Sequence, residues 1–227
     1  MVSVGWHRDV AVRAVARALY KPVSSVYTLY RAKRALSVTQ VTIQGFPATK
    51  VGESFDAEEW GWYNPAMNEY EMALLARQHF DRAYEHQLAG RIGDAIQEYR
   101  LSIALSPTAE AYTFLGWVLG TLGRYEEAIE HCHTAISLDP DLGNPYNDIG
   151  AYLIEMERWQ EAQPWFELAL NAPRYEARAH AHFNLGRVHE YFGDYAKALA
   201  CYAAALDENS AYEEAEWARL ALLARMN

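Results

Sequence analysis

The chain has few cysteines and no long apolar run. Its 227 residues include two cysteines, Cys132 and Cys201, too few for the disulfide framework that stabilises small secreted domains. We expect both to be reduced and to fill small apolar spaces, as in a cytoplasmic protein. No stretch approaches the ~20 apolar residues that a helix needs to cross a bilayer. The composition therefore predicts a soluble globular chain.

The sequence also lacks the short motifs of common catalytic sites. It has no zinc-protease helix motif, no nucleophile-elbow serine motif, no phosphate-binding glycine loop and no Cys-x-x-Cys pair. Eight histidines raise the question of a metal ion. However, His131 and His133 lie two residues apart on a predicted helix, so they point about 200° away from each other. We predict a non-catalytic protein without metal or cofactor.

Self-similarity is the feature that the sequence does have. Four segments of one pattern end at Ala95, Ala128, Ala162 and Ala198, so the intervals between them are 33, 34 and 36 residues. A period of this length indicates helix–turn–helix units that bury their apolar faces against neighbouring units. We refer to the four as units one to four.

The first helix of each unit carries the same stripe of packing positions. In unit two the stripe is spaced i, i+3, i+4 and i+7, which is one face of a helix. Its members are Tyr112, Leu115, Gly116 and Leu119 in unit two, Tyr146, Ile149, Gly150 and Leu153 in unit three, His182, Leu185, Gly186 and His189 in unit four, and His79, Arg82, Ala83 and His86 in unit one. Because these positions are packing positions, we interpret the four histidines on them as aromatic-like fillers rather than metal ligands.

These positions resemble the tetratricopeptide repeat family over residues 76 to about 210. The resemblance implies an all-α, right-handed α-solenoid of about four repeats. The small stripe residues let helix backbones approach closely, while aromatic residues fill the wider gaps. Unit three departs from the pattern twice. Glu157 stands where glycine would ease the turn, and Pro164 is expected within the first turn or so of its helix.

The sequence divides into three predicted parts. Residues 76–227 form the solenoid, residues 51–75 are an aromatic and acidic connector with the start of the first long helix, and residues 1–50 are a basic N-terminal arm. Within the connector, the aromatic segment 55–63 is expected to fold back on unit one. Asn64, which precedes a proline, predicts the start of that first helix.

The C-terminal end predicts a capping helix over residues 210–226. Ser210 and Glu213 have the spacing of a capping box. The apolar residues Trp217, Leu220 and Leu223 are expected to cover the open face of unit four.

The arm is basic, whereas the rest of the chain is acidic. Residues 1–50 carry a net charge of +7 and residues 51–227 carry −17. Residues 3–20 have the pattern of an amphipathic helix, and residues 38–47 are predicted to be an extended connector. The basic residues that we assign to an anionic partner are Arg13, Arg17, Lys21, Arg31, Lys33 and Arg34.

Three interpretations of the arm stay open. It packs against the acidic solenoid, in which case the protein is expected in the cytoplasm. Alternatively, it is a presequence that directs the protein to an organelle. In the third interpretation it binds an anionic partner, for which a membrane surface is favoured over nucleic acid.

In tetratricopeptide repeat proteins the first helices line a concave groove that binds a protein segment. By this resemblance the groove residues are Phe80, Tyr84, Phe114, Trp117, Asn144, Asn147, Asp148, His180, Phe183, Asn184 and Arg187. Amide side chains both donate and accept hydrogen bonds, so Asn147 and Asn184 are predicted to hold a peptide main chain. Phe114, Trp117 and Phe183 would contact apolar side chains of that peptide. Arg187 would pair with a carboxylate.

One subtype of the family binds the C-terminal carboxylate of chaperones through a basic pair on its first helices. Neither set of three consecutive units offers that pair here, so this partner is not expected. We predict an adaptor that binds a protein or peptide partner in the groove. The alternative is a structural subunit or self-associating scaffold whose groove is filled by its own basic arm or by another copy.

Overall fold

The computed structural model describes residues 68–226, which form helices joined by short turns. The helices are α1 (Glu69–Leu88), α2 (Ile92–Leu105), α3 (Ala109–Thr121), α4 (Tyr125–Leu138), α5 (Asn144–Glu155), α6 (Trp159–Asn171), α7 (Arg178–Tyr191), α8 (Tyr195–Glu208) and α9 (Glu213–Met226). Three predictions lie outside the described residues: the arm (1–50) with the six basic residues assigned to an anionic partner, the extended connector (38–47) and the aromatic segment (55–63).

The helices pack in sequence order, as a solenoid requires. Units one to four are the antiparallel pairs α1–α2, α3–α4, α5–α6 and α7–α8, and each second helix also packs on the first helix of the next unit. The first helices α3, α5 and α7 contact one another directly as well. This arrangement confirms the predicted right-handed α-solenoid with a final helix, α9, after unit four.

The turn inside each unit requires a residue with left-handed backbone geometry. Gly90, Gly123 and Gly193 have φ values of 73°, 75° and 77° in units one, two and four. In unit three the same position holds Glu157, with φ 61°. The turn closes through bonds from the backbone N–H groups of Glu157 to Ile154 O (2.9 Å) and of Arg158 to Leu153 O (2.8 Å). Unit three therefore keeps the turn at the cost of a strained non-glycine residue.

Glycines on the packing stripe lie directly under large rings of the second helix. A Cβ atom added to Gly150 would lie 2.6 Å from Phe166, and one added to Gly186 would lie 2.5 Å from Tyr202. Both rings are fully buried. Because real Cβ atoms do not approach a ring so closely, these glycines determine how near the two helices of a unit lie.

Pro164 lies deeper in its helix than predicted. It is the sixth residue of α6, in the second turn, and α6 continues to Asn171. At this position proline removes the backbone hydrogen bond to Gln160 and its ring crowds that carbonyl group. The prediction that Pro164 falls in the first turn or so is wrong.

Both predicted ends also need correction. The first described helix begins at Glu69 after a capping box formed by Asn68 and Glu71, four residues later than predicted, whereas Asn64 itself lies outside the described residues. At the other end α9 begins at Glu213, so Ser210 is too far away to cap it. Instead the Tyr212 carbonyl accepts from the backbone N–H groups of Ala215 and Glu216.

The 36-residue spacing between Ala162 and Ala198 reflects a longer loop between α6 and α7. This loop contacts the loop between α4 and α5, where the backbone N–H of Gly143 donates to Arg174 O (3.1 Å) and that of Arg174 donates to Asp141 O (2.9 Å). The Arg174 side chain also contacts the carboxylates of Asp139 and Glu110. The extra residues therefore tie units two and three together on this edge.

Helix α9 packs on unit four through Ala215 and Leu222 and not through its tryptophan. Ala215 and Leu222 are buried against α7 and α8, whereas Trp217 and Leu220 are exposed. The buried residues repeat at i and i+7, and Trp217 falls on the opposite side of the helix. The prediction that apolar residues of α9 cover unit four is wrong for Trp217 and Leu220, and Leu222 is the large residue that covers it instead.

Candidate functional site

The predicted groove residues lie on α1, α3, α5 and α7, the first helices of the four units. The structure separates them into an aromatic cluster in units one and two, a polar chain in units three and four, and a contact beside α9. Neighbouring first helices touch, so the residues of one group are close enough to act together.

The aromatic cluster is part of the core between units one and two. The Phe80 ring lies 5.2 Å from Phe114 and 5.4 Å from Tyr99, and Tyr84 lies 5.7 Å from Phe114, all edge-to-face. Trp117 is partly buried and packs against the same core. These contacts stabilise the helix pairs, so the cluster already has a structural role.

The polar chain joins α5 to α7. Arg187 Nη1 donates to Asn184 Oδ1 (3.3 Å), Asn184 Nδ2 donates to Asn147 Oδ1 (3.3 Å), and Asn147 Nδ2 donates to Asp148 Oδ1 (3.4 Å). All the donors point the same way along the chain, from the guanidinium to the carboxyl group. Each amide group uses one N–H and one carbonyl lone pair in this chain. The second N–H and the second lone pair of each amide are not used in this chain of bonds; Asn184 is buried and Asn147 is partly buried.

Asp148 is the buried end of the polar chain. Its side chain is 5% exposed, and Oδ2 has no hydrogen-bond partner among the described residues. Burial raises the pKa of Asp148 to about 7, against a smaller lowering by the hydrogen bond from Asn147. A carboxyl group with this pKa exchanges its proton near neutral pH.

Arg187 forms the other end of the polar chain. Its guanidinium also contacts a carboxylate and an aromatic ring. Its Nη2 atom lies 3.8 Å from Glu155 Oε1, and its guanidinium lies over the Trp159 ring at 5.8 Å. Trp159 in turn stacks on Tyr191 at 4.5 Å. Sequence reasoning did not include Glu155 or Trp159, although both lie at the helix ends that meet in the turn of unit three.

His180 and Phe183 face the residue that leads into α9. His180 Nδ1 lies 3.0 Å from Tyr212 Oη, and the Phe183 ring lies 5.3 Å from the Tyr212 ring. Burial lowers the pKa of His180 and raises that of Tyr212. These two residues therefore hold the C-terminal end of the solenoid. Asn144 is the first residue of α5 and does not belong to the polar chain described above.

His79, one of the four stripe histidines, has polar partners in the structure. His79 is buried and its Nδ1 lies 2.8 Å from Glu98 Oε2, which also lies 3.1 Å from Arg82 Nε. The pKa of Glu98 is lowered: burial raises it, but the hydrogen bond with His79 and the charge of Arg82 outweigh that. His79 is therefore a hydrogen-bonding residue and not only a filler. Its partner Glu98 was not identified from the sequence.

Residues 68–226 lack two kinds of feature, a metal-binding cluster and a membrane-spanning helix. They contain no cluster of three or more His, Cys, Asp or Glu side chains placed to hold a metal ion. None of their helices has the length and hydropathy to cross a membrane. Cys132 is buried and Cys201 partly buried, both as free thiols, and burial raises the pKa of each.

Sequence comparison gives matches in units two to four. Residues 141–207 match one sequence model described as tetratricopeptide repeat, and residues 109–142 match another with the same description. A curated, uncharacterised protein of Haemophilus influenzae is 33% identical over 63 residues, which are 28% of this chain and 35% of that protein. The chain therefore matches about a third of the length of this relative.

Similar folds occur among solved structures. PilF of Pseudomonas aeruginosa superposes with a TM-score of 0.64 at 21% identity, covering 68% of this chain and 70% of that one. PilW, a type IV pilus biogenesis factor, gives 0.58 at 21% identity over 62% and 64%. YrrB, a TPR protein with an unusual peptide-binding site, gives 0.51 at 21% identity over 65% and 76%. At these identities the likeness concerns the fold.

Proposed function

The chain is a tetratricopeptide repeat protein, and on that premise we propose that it binds an extended segment of a partner protein on α5 and α7. Repeats of this kind serve as protein-interaction scaffolds. The observation that carries the proposal is the polar chain through Asn147 and Asn184, because both amide groups have unused donors and acceptors on neighbouring first helices. No catalytic role is proposed.

The geometry of the two amides suits a peptide main chain. The two amides contact each other directly, with Asn184 Nδ2 3.3 Å from Asn147 Oδ1. Both side chains therefore lie beside the same short stretch of a bound main chain. The bonds within the polar chain are long, at 3.3–3.4 Å, so little is lost when a peptide replaces one of them.

The other groove side chains already have partners within the protein, which limits what they can contribute to binding a partner segment. Arg187 already lies near Glu155 and over Trp159, so we no longer assign it to a partner carboxylate. Phe114 and Phe183 pack against other rings, which leaves only their exposed parts for the partner. The proposal therefore depends on main-chain recognition by the amide pair and on no specific side chain of the partner.

The test is a comparison of the wild-type chain with Asn147→Ala/Asn184→Ala. Partners are captured from native lysate, identified by mass spectrometry, and then titrated individually against both proteins. Loss of two amide contacts, at about 1 kcal/mol each, weakens binding by about 10–30-fold. Circular dichroism establishes that the variant folds.

Asn171→Ala is the matched control, because Asn171 is an exposed asparagine at the end of α6 whose side chain donates to the Glu167 carbonyl of the same helix. It is expected to bind every captured partner as the wild type does. A partner that binds the double variant with unchanged affinity contradicts the assignment of the amide pair. A chain that captures no partner contradicts the proposed function itself.

A further inference from the structure

Helix α9 presents two different faces. One face carries Ala215, Ala218 and Leu222, which pack on unit four. The opposite face carries Trp217, of which 71% is exposed, and Leu220, of which 46% is exposed. An exposed tryptophan beside an exposed leucine on one helix face leaves a large apolar area in water.

The exposed apolar residues form a continuous strip. Trp217, Leu220, Ala221 and Ala224 are spaced i, i+3, i+4 and i+7, so they line one side of α9. This is the spacing that pairs one helix with another, and the two alanines allow a close approach. We refer to these four residues as the α9 strip.

We propose that two copies of this chain associate by pairing their α9 strips in antiparallel orientation. The strip is complementary to itself. A two-fold axis between Leu220 and Ala221 places the large Trp217 of one copy against the small Ala224 of the other. Large side chains thereby meet small ones at both ends of the strip.

The charges along α9 favour the antiparallel arrangement over the parallel one. The first turn is acidic, with Glu213, Glu214 and Glu216, while Arg225 lies in the last turn, where it also pairs with Glu190 of α7. Antiparallel pairing brings the acidic turn of each copy beside the basic end of the other. Parallel pairing would place two acidic turns side by side. The helix dipoles favour the same antiparallel choice.

The expected association is weak and reversible. The strip lies on a single helix of 14 residues, about 21 Å long, so the buried surface falls at the small end of specific interfaces. We expect a dissociation constant in the range of about 10–100 µM. This association uses a different surface from the polar chain on α5 and α7 and does not depend on the proposed function.

The first test is sedimentation equilibrium of the full chain from about 1 to about 200 µM. The wild type is expected to shift from monomer towards dimer across this range. Trp217→Glu/Leu220→Glu is expected to stay monomeric. The matched control, Leu88→Glu/Leu138→Glu, adds the same charges at leucines that are 67% and 48% exposed elsewhere, and it is expected to dimerise as the wild type does. A wild-type chain that stays monomeric throughout, or a strip variant that still dimerises, overturns the proposal.

The second test distinguishes the orientation of the helices. Ala221→Cys lies near the proposed two-fold axis, so two copies are expected to form an intermolecular disulfide under mild oxidation. Glu214→Cys lies in the first turn, where the same residues of the two copies are far apart in an antiparallel pair. Its disulfide is expected to form at least about tenfold more slowly. Equal rates for the two variants contradict the antiparallel arrangement.

Discussion

At the residue scale, the helices of units three and four approach closely where a stripe glycine meets an aromatic ring. Unit two places Gly116 opposite the small Cys132, whereas unit three places Gly150 opposite Phe166. The two units have the same backbone arrangement but fill the space between their helices differently. The tolerance of a stripe glycine to substitution therefore depends on the ring above it.

We expect Gly150→Ala to lower the free energy of unfolding by about 1–2 kcal/mol. The new Cβ would lie 2.6 Å from the Phe166 ring, and this overpacking outweighs the gain of alanine in helix propensity. Adding Phe166→Cys, which copies unit two, is expected to remove the clash, so the two changes are non-additive. Gly93→Ala is the control, since nothing lies within 4 Å of its Cβ, and it is expected to stabilise. Urea unfolding measures Gly150→Ala, Phe166→Cys, their combination and Gly93→Ala; additive effects at Gly150 and Phe166 would contradict this account.

Asp148 gives a second prediction at this scale, in the pH dependence of stability. Its pKa of about 7 in the folded protein exceeds the value of about 3.9 for an unfolded chain. Between these values the folded state holds a proton that the unfolded state has released. Wild-type stability therefore falls as the pH rises from about 4 to 7 and then levels off.

Asp148→Asn cannot ionise, so we expect it to lack this fall. At pH ~8 the variant is expected to be more stable than the wild type by up to about 4 kcal/mol, and at pH ~4 the difference approaches zero. Unfolding curves at several pH values measure the slope. Asp207→Asn, at an exposed position of α8, is the control and is expected to keep the wild-type fall in stability with pH. A variant that is less stable than the wild type at pH ~8 would show that ionised Asp148 is well stabilised.

At the element scale, one unfavourable residue stands just before α6 and a second lies inside it, seven positions further along the chain. Glu157 precedes it with left-handed backbone geometry, and Pro164 interrupts its hydrogen bonds. Nevertheless α6 is a full-length helix, because Ala162, Phe166 and Ala169 are buried against neighbouring helices. Tertiary packing here outweighs local preference.

We expect Pro164→Ala to raise the free energy of unfolding by about 1–3 kcal/mol. The change restores the backbone hydrogen bond to Gln160 and removes the ring that crowds its carbonyl group. Thermal unfolding by circular dichroism measures the gain. Pro173→Ala, in the loop between α6 and α7, is the matched control and is expected to give no gain, because proline there restricts the unfolded chain. Equal effects of both changes would contradict the explanation.

At the scale of the whole molecule, each unit is stabilised by contacts with its neighbouring units. The contacts of residues 68–226 join consecutive helices and successive first helices. A solenoid of this kind opens from its ends when an end is weakened. Helix α9 protects one end, since Leu222 is fully buried against Ala198 and Tyr202.

We expect Leu222→Ala to destabilise unit four selectively. Loss of the buried side chain costs about 2–4 kcal/mol, and amide hydrogen exchange is expected to accelerate in α8 and α9. Exchange in α3 and α4 is expected to change little. Leu168→Ala removes an exposed leucine from α6 and is the control without such an effect. A uniform acceleration in all units would show that the solenoid opens as a single cooperative unit instead.

The sequence by itself determined the repeats and the fold. The intervals between Ala95, Ala128, Ala162 and Ala198 and the stripe on each first helix were sufficient to predict an all-α solenoid. Its turns were readable too, because left-handed geometry selects glycine. These features are local: each depends on residues within one unit or on its nearest neighbour.

Only the tertiary structure decided which groove residues act together and which side of α9 is covered. Periodicity offers both Trp217 and Leu222 as packing residues, and the close approach of α7 and α8 selects the side with Ala215 and Leu222. Likewise the sequence placed Asn147, Asn184 and Arg187 on first helices. Their connection into one polar chain that ends at buried Asp148 depends on the spacing between units. That spacing is set by side-chain volumes across the whole interface and not by any short motif.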